Sequence, residues 1–239
     1  MSDNLLRIGT SAILASTALL STTSNNIANL NTPGYTRQRT EFDSAILGLG
    51  VGRGTTERLV NEFAQKQLWR DVSSVGYANQ YLSEAGRVDT LLSDKSNSIS
   101  TGISSFFSQL QAAINDPTNA SSRQLVMGGA QTLLNKFNTL STQMTAQNKY
   151  LTEQLETDAA DANEQIGVIA RLNQEIMAYG NNPAKPPPLD LLDKRDQAIK
   201  ELSALVDINV LDAENGDKQV FLSSGQSLVL ENGKFNLFS

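Results

Sequence analysis

One apolar pattern, over residues 119–179, limits what this chain can fold into more than any other feature. Its members recur at alternating intervals of three and four residues, which is the spacing of one face of an α-helix. A helix of that length would extend about 90 Å at 1.5 Å per residue, so the pattern predicts a rod packed on other helices as an antiparallel bundle. The side chains that carry the pattern are Ala130, Leu133, Phe137, Leu140, Met144, Gln147 and Leu151 and, after an extra step at Leu155, Ala162, Ile166, Ile169 and Ile176.

Three further stretches have helical spacing. The first covers about residues 56–94, the second follows Ser98 as N-cap and ends before Pro117, and the third covers residues 189–206. In the first stretch the apolar face predicted to pack in the bundle consists of Leu68, Val72, Val75, Ala78, Leu82, Ala85, Val88 and Leu92.

The hydrophobic period changes after the last helical stretch. Short strand-like runs at residues 208–211, 219–222, 228–230 and 235–237 are separated by Asn-Gly or Ser-Gly pairs, which are typical of hairpin turns. The fold class predicted is therefore mainly α, a long antiparallel helical bundle or coiled-coil rod, with a short β-meander starting at the C-terminal end.

The N-terminal stretch predicts a helix with one apolar stripe. Leu6, Ile13, Leu20 and Ile27 are seven residues apart, as in a coiled coil. The stripe fits a helix that docks on its own domain, or one reserved for another helix or subunit. A signal peptide is the weaker alternative, because the positive charge at the start is weak and polar residues interrupt the run. Those polar residues also predict that the stretch is too polar to span a bilayer.

These patterns predict three segments. Residues 1–31 form an N-terminal coiled-coil segment, and residues 32–206 form a helical rod domain with a Gly-rich loop at 46–55 and a Pro-rich linker at 180–188. Residues 207–239 begin a β-rich domain that is expected to be truncated.

Composition excludes most catalytic chemistry. The chain has no Cys and no His, so it cannot build a Ser-His-Asp triad, a Cys-His nucleophile or a Cys/His metal site. A net charge of -6 argues against nucleic acid as a partner. The charged run at residues 193–196 is interpreted as a solvated helix face. We therefore expect no catalytic residues, no cofactor and no metal.

One segment is not generic, the Asn-rich run at residues 25–38. It resembles the N-terminal signature of the rod/hook family of bacterial flagellar axial proteins. The signature residues are Asn26, Ile27, Asn29, Asn31, Thr32, Pro33, Gly34 and Tyr35. Physically, the Asn side chains can satisfy the last helix carbonyls, the Pro-Gly pair forces a turn, and the Tyr supplies an amphipathic anchor. Residues 189–197, 201–206 and 225–230 are similar to segments of the family members found between hook and filament.

The resemblance implies a structural subunit at the hook–filament junction that self-assembles by helix packing and adapts hook to filament. The N-terminal helix would belong to the inner coiled-coil domain and would be disordered in isolated subunits. The partners implied are further copies, the hook protein, a second junction protein and the flagellar export apparatus, without membrane insertion. Export would use the flagellar type III pathway, which leaves the N-terminus uncleaved. The protein would then be located outside the cell, in the bacterial flagellum. Chaperone binding is doubtful, because the family's chaperone engages a C-terminal segment that this sequence lacks.

Two alternatives stay open on the sequence. One is another rod or hook subunit of the same family, against which the very long helix argues. The other is a non-flagellar tether or signalling protein with a long helix, which would leave the signature run unexplained.

Overall fold

The computed structural model describes residues 2–45, 50–93, 98–179 and 187–239. Within these ranges the chain is mainly α-helical with two small antiparallel sheets, which confirms the predicted fold class. The helices are α1 (Ser2–Ala28), α2 (Glu62–Ser93), α3 (Ile99–Asn115), α4 (Ala120–Met177) and α5 (Leu189–Leu205). The strands are β1 (Gln38–Ser44), β2 (Val51–Arg58), β3 (Ile208–Asp212), β4 (Lys218–Leu222) and β5 (Ser227–Val229).

The helices follow the sequence signals closely. The predicted rod helix is α4, a single helix of 58 residues. The predicted cap of α3 is confirmed, because the Ser98 hydroxyl accepts a hydrogen bond from the Thr101 backbone N–H at 3.3 Å. α3 ends at Asn115, two residues before Pro117, which cannot continue a helix.

The first sheet is a hairpin that the sequence did not predict. β1 and β2 pair antiparallel with Thr40 opposite Thr56, so the helical stretch does not begin near Thr56 but at Glu62. Residues 51–55 of the predicted Gly-rich loop are part of β2, and residues 46–49 lie outside the described residues. Glycine is required in this strand, because a Cβ at Gly54 would lie 2.5 Å from the ring of Phe42 on β1. Close cross-strand packing therefore explains Gly54 and also Gly52, where a Cβ would lie 2.7 Å from the Asp43 carbonyl.

The second sheet is the predicted meander, in the order β3-β4-β5. The turns around Gly216 and Gly225 have positive φ values of 85° and 93°, as the Asn-Gly and Ser-Gly pairs indicated. The prediction of a fourth strand at residues 235–237 is wrong. There, Phe235 forms an isolated bridge with Val229, and Asn232, at a φ of 60°, turns the chain before it.

The chain forms two compact units. Unit 1 consists of Met1–Val75 with Asp161–Ser239, and unit 2 consists of Gly76–Ala160. Contacts cross both predicted segment boundaries, since α1 packs on the β1–β2 hairpin and α5 packs on the β3–β5 sheet. The three-segment division therefore stays a prediction. Of its Pro-rich linker at 180–188, residues 180–186 lie outside the described residues.

The core that the structure describes lies in unit 1. Its apolar members come from α4, α5 and the β3–β5 sheet, with Trp69 of α2 beside them. The fully buried large side chains among them are Ile166, Ile169, Ile199, Leu202, Val220 and Val229. These contacts hold the second sheet against the C-terminal part of α4.

The face of α2 that was predicted to pack in the bundle is largely exposed in the described structure. Leu68, Val75 and Leu82 are 47%, 58% and 67% exposed. Polar contacts join α2 to α4 instead: the Gln147 amide donates to Glu84 at 2.9 Å, and the Arg87 guanidinium lies 4.2 Å from the centre of the Tyr150 ring. The spacing identified the helix correctly but not the side by which it packs.

Candidate assembly site

The N-terminal helix α1 turns its apolar stripe away from its own domain. Leu6, Ile13, Leu20 and Ile27 are between 67% and 70% exposed. We call these four residues the outer stripe. Further exposed apolar side chains flank it on the same helix, namely Leu5, Leu14 and Leu19. An exposed apolar surface of this kind is typical of an interaction site.

The opposite side of α1 is small and polar, and it docks on the β1–β2 hairpin. Ala15 and Thr22 are each 8% exposed. The hydroxyls of Thr22 and Thr40 lie 2.6 Å apart, and those of Thr40 and Thr56 lie 2.8 Å apart. Near the other end of the hairpin, Ser11 accepts a hydrogen bond from the Val51 backbone N–H at 3.2 Å. The helix is thus attached to its own chain by hydrogen bonds, and its leucines and isoleucines stay available.

Asn26 joins the end of α1 to the start of β1. Its amide nitrogen donates to the Gln38 carbonyl at 2.9 Å, and its amide oxygen accepts from the Gln38 backbone N–H at 2.9 Å. The same oxygen accepts from the Tyr35 hydroxyl at 2.9 Å. A Tyr hydroxyl is protonated at neutral pH and donates here, and burial, and secondarily the negative charge of Asp193, raise the pKa of Tyr35 further.

The other signature residues shape the turn between helix and hairpin. Asn29 satisfies a helix-end carbonyl as expected, by donating to the Asn25 oxygen at 3.0 Å, and it accepts from the Thr32 hydroxyl. Asn31 and Pro33 are exposed, like Ile27. Gly34 has a φ of 80°, and a Cβ there would lie 3.0 Å from the Gln197 side chain on α5. The signature thus brings a tight turn against α5.

The charged run on α5 is buried, so its interpretation as a solvated face is wrong. Asp193, Arg195 and Asp196 are 7%, 5% and 6% exposed. Arg58, at the end of β2, pairs with Asp193 at 3.0 Å and with Asp196 at 2.5 Å. Lys194 alone in this run is solvated, and it pairs with Asp190 at the surface.

Asp193 uses both carboxylate oxygens to bind α5 to the signature turn and to the β1–β2 hairpin. One accepts from Arg58, and the other accepts from the Thr36 backbone N–H at 3.2 Å. The signature turn and the end of the hairpin therefore share one carboxylate on α5. Two cations and two anions, Arg58, Arg195, Asp193 and Asp196, balance one another here, which offsets the cost of burying charge.

Arg195 extends the network to the second sheet. Its guanidinium donates to the Asn173 side chain at 3.1 Å and to the Gly216 carbonyl at 2.9 Å. Burial lowers the pKa of Arg195, while the nearby charge of Asp196 opposes that shift. Arg58 is 135 residues from Asp193 along the chain, so no local pattern indicated this pairing. The spacing of the two Asp residues at i and i+3 was the one available signal, since it places both on one helix face.

The described geometry thus consists of an exposed apolar stripe on α1 and a buried charge network on α5. In the described part of the chain no three metal-ligating side chains converge. One described helix segment, Asn4–Ala28, is long and apolar enough to cross a membrane by length and composition alone. By that measure the stretch is not too polar, so the expectation of no membrane insertion depends on the family resemblance.

Comparison with known proteins identifies the architecture. Residues 85–239 match the model of the flagellar hook-associated protein FlgK helical domain, and residues 6–36 match that of the flagella basal body rod protein. The flagellar hook-associated protein 1 of Salmonella typhimurium is 33% identical over 236 residues, covering 95% of this chain and 42% of that protein. The Bacillus subtilis protein of the same name is 30% identical, covering 90% and 45%.

A solved structure of a hook junction protein has a similar fold. The flagellar hook junction protein FlgK from Burkholderia pseudomallei matches with a TM-score of 0.64 and 30% identity, covering 70% of this chain and 29% of that one. The chain thus spans less than half the length of these relatives. Because the helical-domain model alone covers more than half of the chain, the chain belongs to the flagellar hook-associated protein 1 family.

Proposed function

We propose that this chain is part of a structural subunit of the bacterial flagellum at the hook–filament junction, where it adapts the hook to the filament. The observation that carries the proposal is α1, which binds its own domain by a small polar face and exposes the outer stripe. The relatives are named hook-associated and hook junction proteins, which supports the same role. The partners are further copies, the hook protein and a second junction protein.

The size of the outer stripe fits assembly in a ring better than a single pair. Each fully buried Leu or Ile contributes about 1.5–3 kcal/mol. Association itself costs about 4–15 kcal/mol in lost translational and rotational freedom. The four residues of one stripe contribute about 6–12 kcal/mol, which is of the same order as that cost, so several neighbours that share the stripe hold a subunit more firmly than one.

Export by the flagellar type III pathway, without cleavage, is part of this proposal. A subunit outside the cell is then expected to retain the residues that precede Asn4. N-terminal sequencing of the secreted protein tests this, because a cleaved signal peptide would remove the helix at Asn4–Ala28. A membrane anchor at the same helix would instead keep the protein in the membrane fraction.

The junction role is tested by incubating tagged, purified chain with isolated hooks and locating a gold label by electron microscopy. A full-length relative serves as the positive control. The paired variant Ile13→Asn/Leu20→Asn removes two members of the outer stripe. The matched control Leu134→Asn/Leu155→Asn removes two leucines on α4 that are 56% and 69% exposed.

We expect label at the distal hook tips with the parent and the α4 control, and its loss with the α1 variant. Equal binding of all three proteins would contradict the role of the outer stripe. A parent that fails where the full-length relative binds would show that this part of the subunit does not dock by itself.

The match of residues 6–36 to a rod protein model favours one alternative, another axial subunit of the rod or hook. In that case the label would lie along isolated rods or hooks rather than at their distal tips. A non-flagellar tether would label neither structure.

A further inference from the structure

Three asparagines in unit 1 attach a helix to an extended segment by the same two-point contact. In each, the amide nitrogen donates to a backbone carbonyl, and the amide oxygen accepts from the backbone N–H of that same residue. The pairs are Asn26 with Gln38, Asn163 with Phe238, and Asn173 with Lys218, at distances of 2.7–3.2 Å. We call this contact an asparagine clamp.

A clamp of this kind fixes orientation as well as distance. The planar amide presents one donor and one acceptor, as a neighbouring β-strand does, so both bonds form at a single rotation of the helix. Ser or Ala at such a position cannot reproduce the pair. The clamp at Asn173 belongs to the core and is fully buried. The clamp at Asn26 is different, because α1 carries the exposed outer stripe.

We propose that Asn26 is the positioning residue that sets the rotation of α1 on the β1–β2 hairpin, and thereby the direction in which the outer stripe faces. This inference deepens the proposed function, and the importance of the stripe's direction for assembly rests on that function. Near its C-terminal end, the helix is held by the Thr22 hydroxyl and by the three bonds of Asn26. The members of the outer stripe share one face of α1, so a rotation of the helix about its axis turns them all together and changes the direction in which the outer stripe faces.

Tyr35 and Asp193 continue the contact into the domain. The Tyr35 hydroxyl donates to Asn26, and the Thr36 N–H, next in the chain, donates to Asp193 on α5. The turn between helix and hairpin is therefore held from both sides. Asn26 connects α1 to a segment that α5 itself fixes, which makes the rotation of α1 depend on the buried charges around Arg58.

The distance between two spin labels tests the proposal directly. Because the chain has no Cys, Leu14→Cys on α1 and Ser224→Cys in the β4–β5 turn give a clean labelled pair within unit 1. The resemblance implies disorder of this helix in isolated subunits, whereas the structure has α1 as a helix docked on the hairpin. From the docked geometry we expect one narrow distance in the parent and a broad distribution in Asn26→Ala, and a broad distribution in the parent as well would overturn the proposal. The matched control is Asn25→Ala, an exposed Asn one position earlier. Trp69 fluorescence verifies that each variant is folded.

A second variant separates positioning from simple loss of stability. In Asn26→Asp the new carboxylate oxygen faces the Gln38 carbonyl and repels it at neutral pH. When protonated, it donates to that carbonyl and restores the clamp. Among the described residues, the titratable and charged groups around this position include Tyr35, which donates to the same side chain, and Asp193, whose charge acts on Tyr35. Arg58 pairs with Asp193, and Asp190 and Lys194 line the same cleft as Tyr35 and Gln38. We expect a broad distance distribution at pH 7 that becomes narrow again near pH 4.

Asn25→Asp controls for the unfavourable carboxylate at a helix C-terminus, since it has the same charge without the clamp. Recovery in acid confined to Asn26→Asp supports the proposal. Equal distance widths in the parent, Asn26→Ala and Asn26→Asp would overturn it.

Binding to hooks gives the functional readout. We expect Asn26→Ala to bind isolated hooks roughly tenfold more weakly than Asn25→Ala, as loss of about 1.4 kcal/mol implies. The label distances need no hooks. Clamp-dependent distances in the parent, with no hook binding by either the parent or the full-length relative, would therefore contradict the proposed function and not the positioning role of Asn26.

Discussion

At the scale of single residues, the contacts that matter most are the charges around Arg58. Its side chain is 10% exposed and is neutralised by two carboxylates of α5. Replacing one partner of a buried ion pair leaves an uncompensated charge, which is far more costly than losing a surface pair. Asp193 has the additional task of accepting the Thr36 N–H.

We therefore predict that Asp193→Asn lowers the free energy of unfolding by about 3 kcal/mol. Asp190→Asn on the same helix is the matched control, because its pair with Lys194 is 63% and 64% exposed. That change is expected to cost less than about 1 kcal/mol. Urea unfolding followed by Trp69 fluorescence measures both, and equal costs would show that the buried network contributes no special stability.

At the scale of elements, the sequence predicted the helices and turns well because their signals are local. Ser98, Pro117 and the Asn-Gly pairs each act within a few residues. The β1–β2 hairpin was missed, because Gly52 and Gly54 replace the apolar alternation that identifies a strand. They are there because Phe42 and the β1 backbone come close, which becomes evident only once the strands pair.

The packing faces were less predictable than the elements. The outer stripe of α1 and the apolar face of α2 have the same spacing as a core face, yet both are exposed in the described structure. Spacing shows that side chains share a face, and it does not show what covers them. The signature residues were recognised, but the specific bonds of Asn26 and the pairing of Arg58 with α5 depend on contacts between distant parts of the chain.

The docking of α1 on the hairpin leads to a prediction at this scale. Thr40→Val removes the hydroxyl that links Thr22 to Thr56 and costs about 1–2 kcal/mol. We expect hydrogen exchange of the backbone amides in the second half of α1 to become roughly tenfold faster. Thr17→Val, on the exposed side of α1, is the control, since its hydroxyl bonds within its own helix. Unchanged exchange in Thr40→Val would mean that the hydroxyl chain does not hold the helix.

At the scale of the whole molecule, burial is distributed unevenly between the two units. The buried apolar side chains that the structure describes all belong to unit 1, whereas in unit 2 the described helices bury Gly102 at the contact of α3 with α4. Apolar burial is the main favourable contribution to folding. Unit 2 is therefore the less stable part, and its helices open at a lower free energy than the core of unit 1.

We predict that urea unfolds the chain in two transitions. Trp69 is the single Trp and is 3% exposed in the core of unit 1, so its fluorescence reports on that unit. Circular dichroism reports on the helices of both units and is expected to start falling at a lower urea concentration. Ile199→Ala, in the core, should shift the fluorescence transition by about 2–5 kcal/mol. Leu133→Ala, whose side chain contacts Gly102 in unit 2, should shift the first transition alone. One transition with coincident midpoints for both signals would instead show that the two units unfold as a single cooperative body.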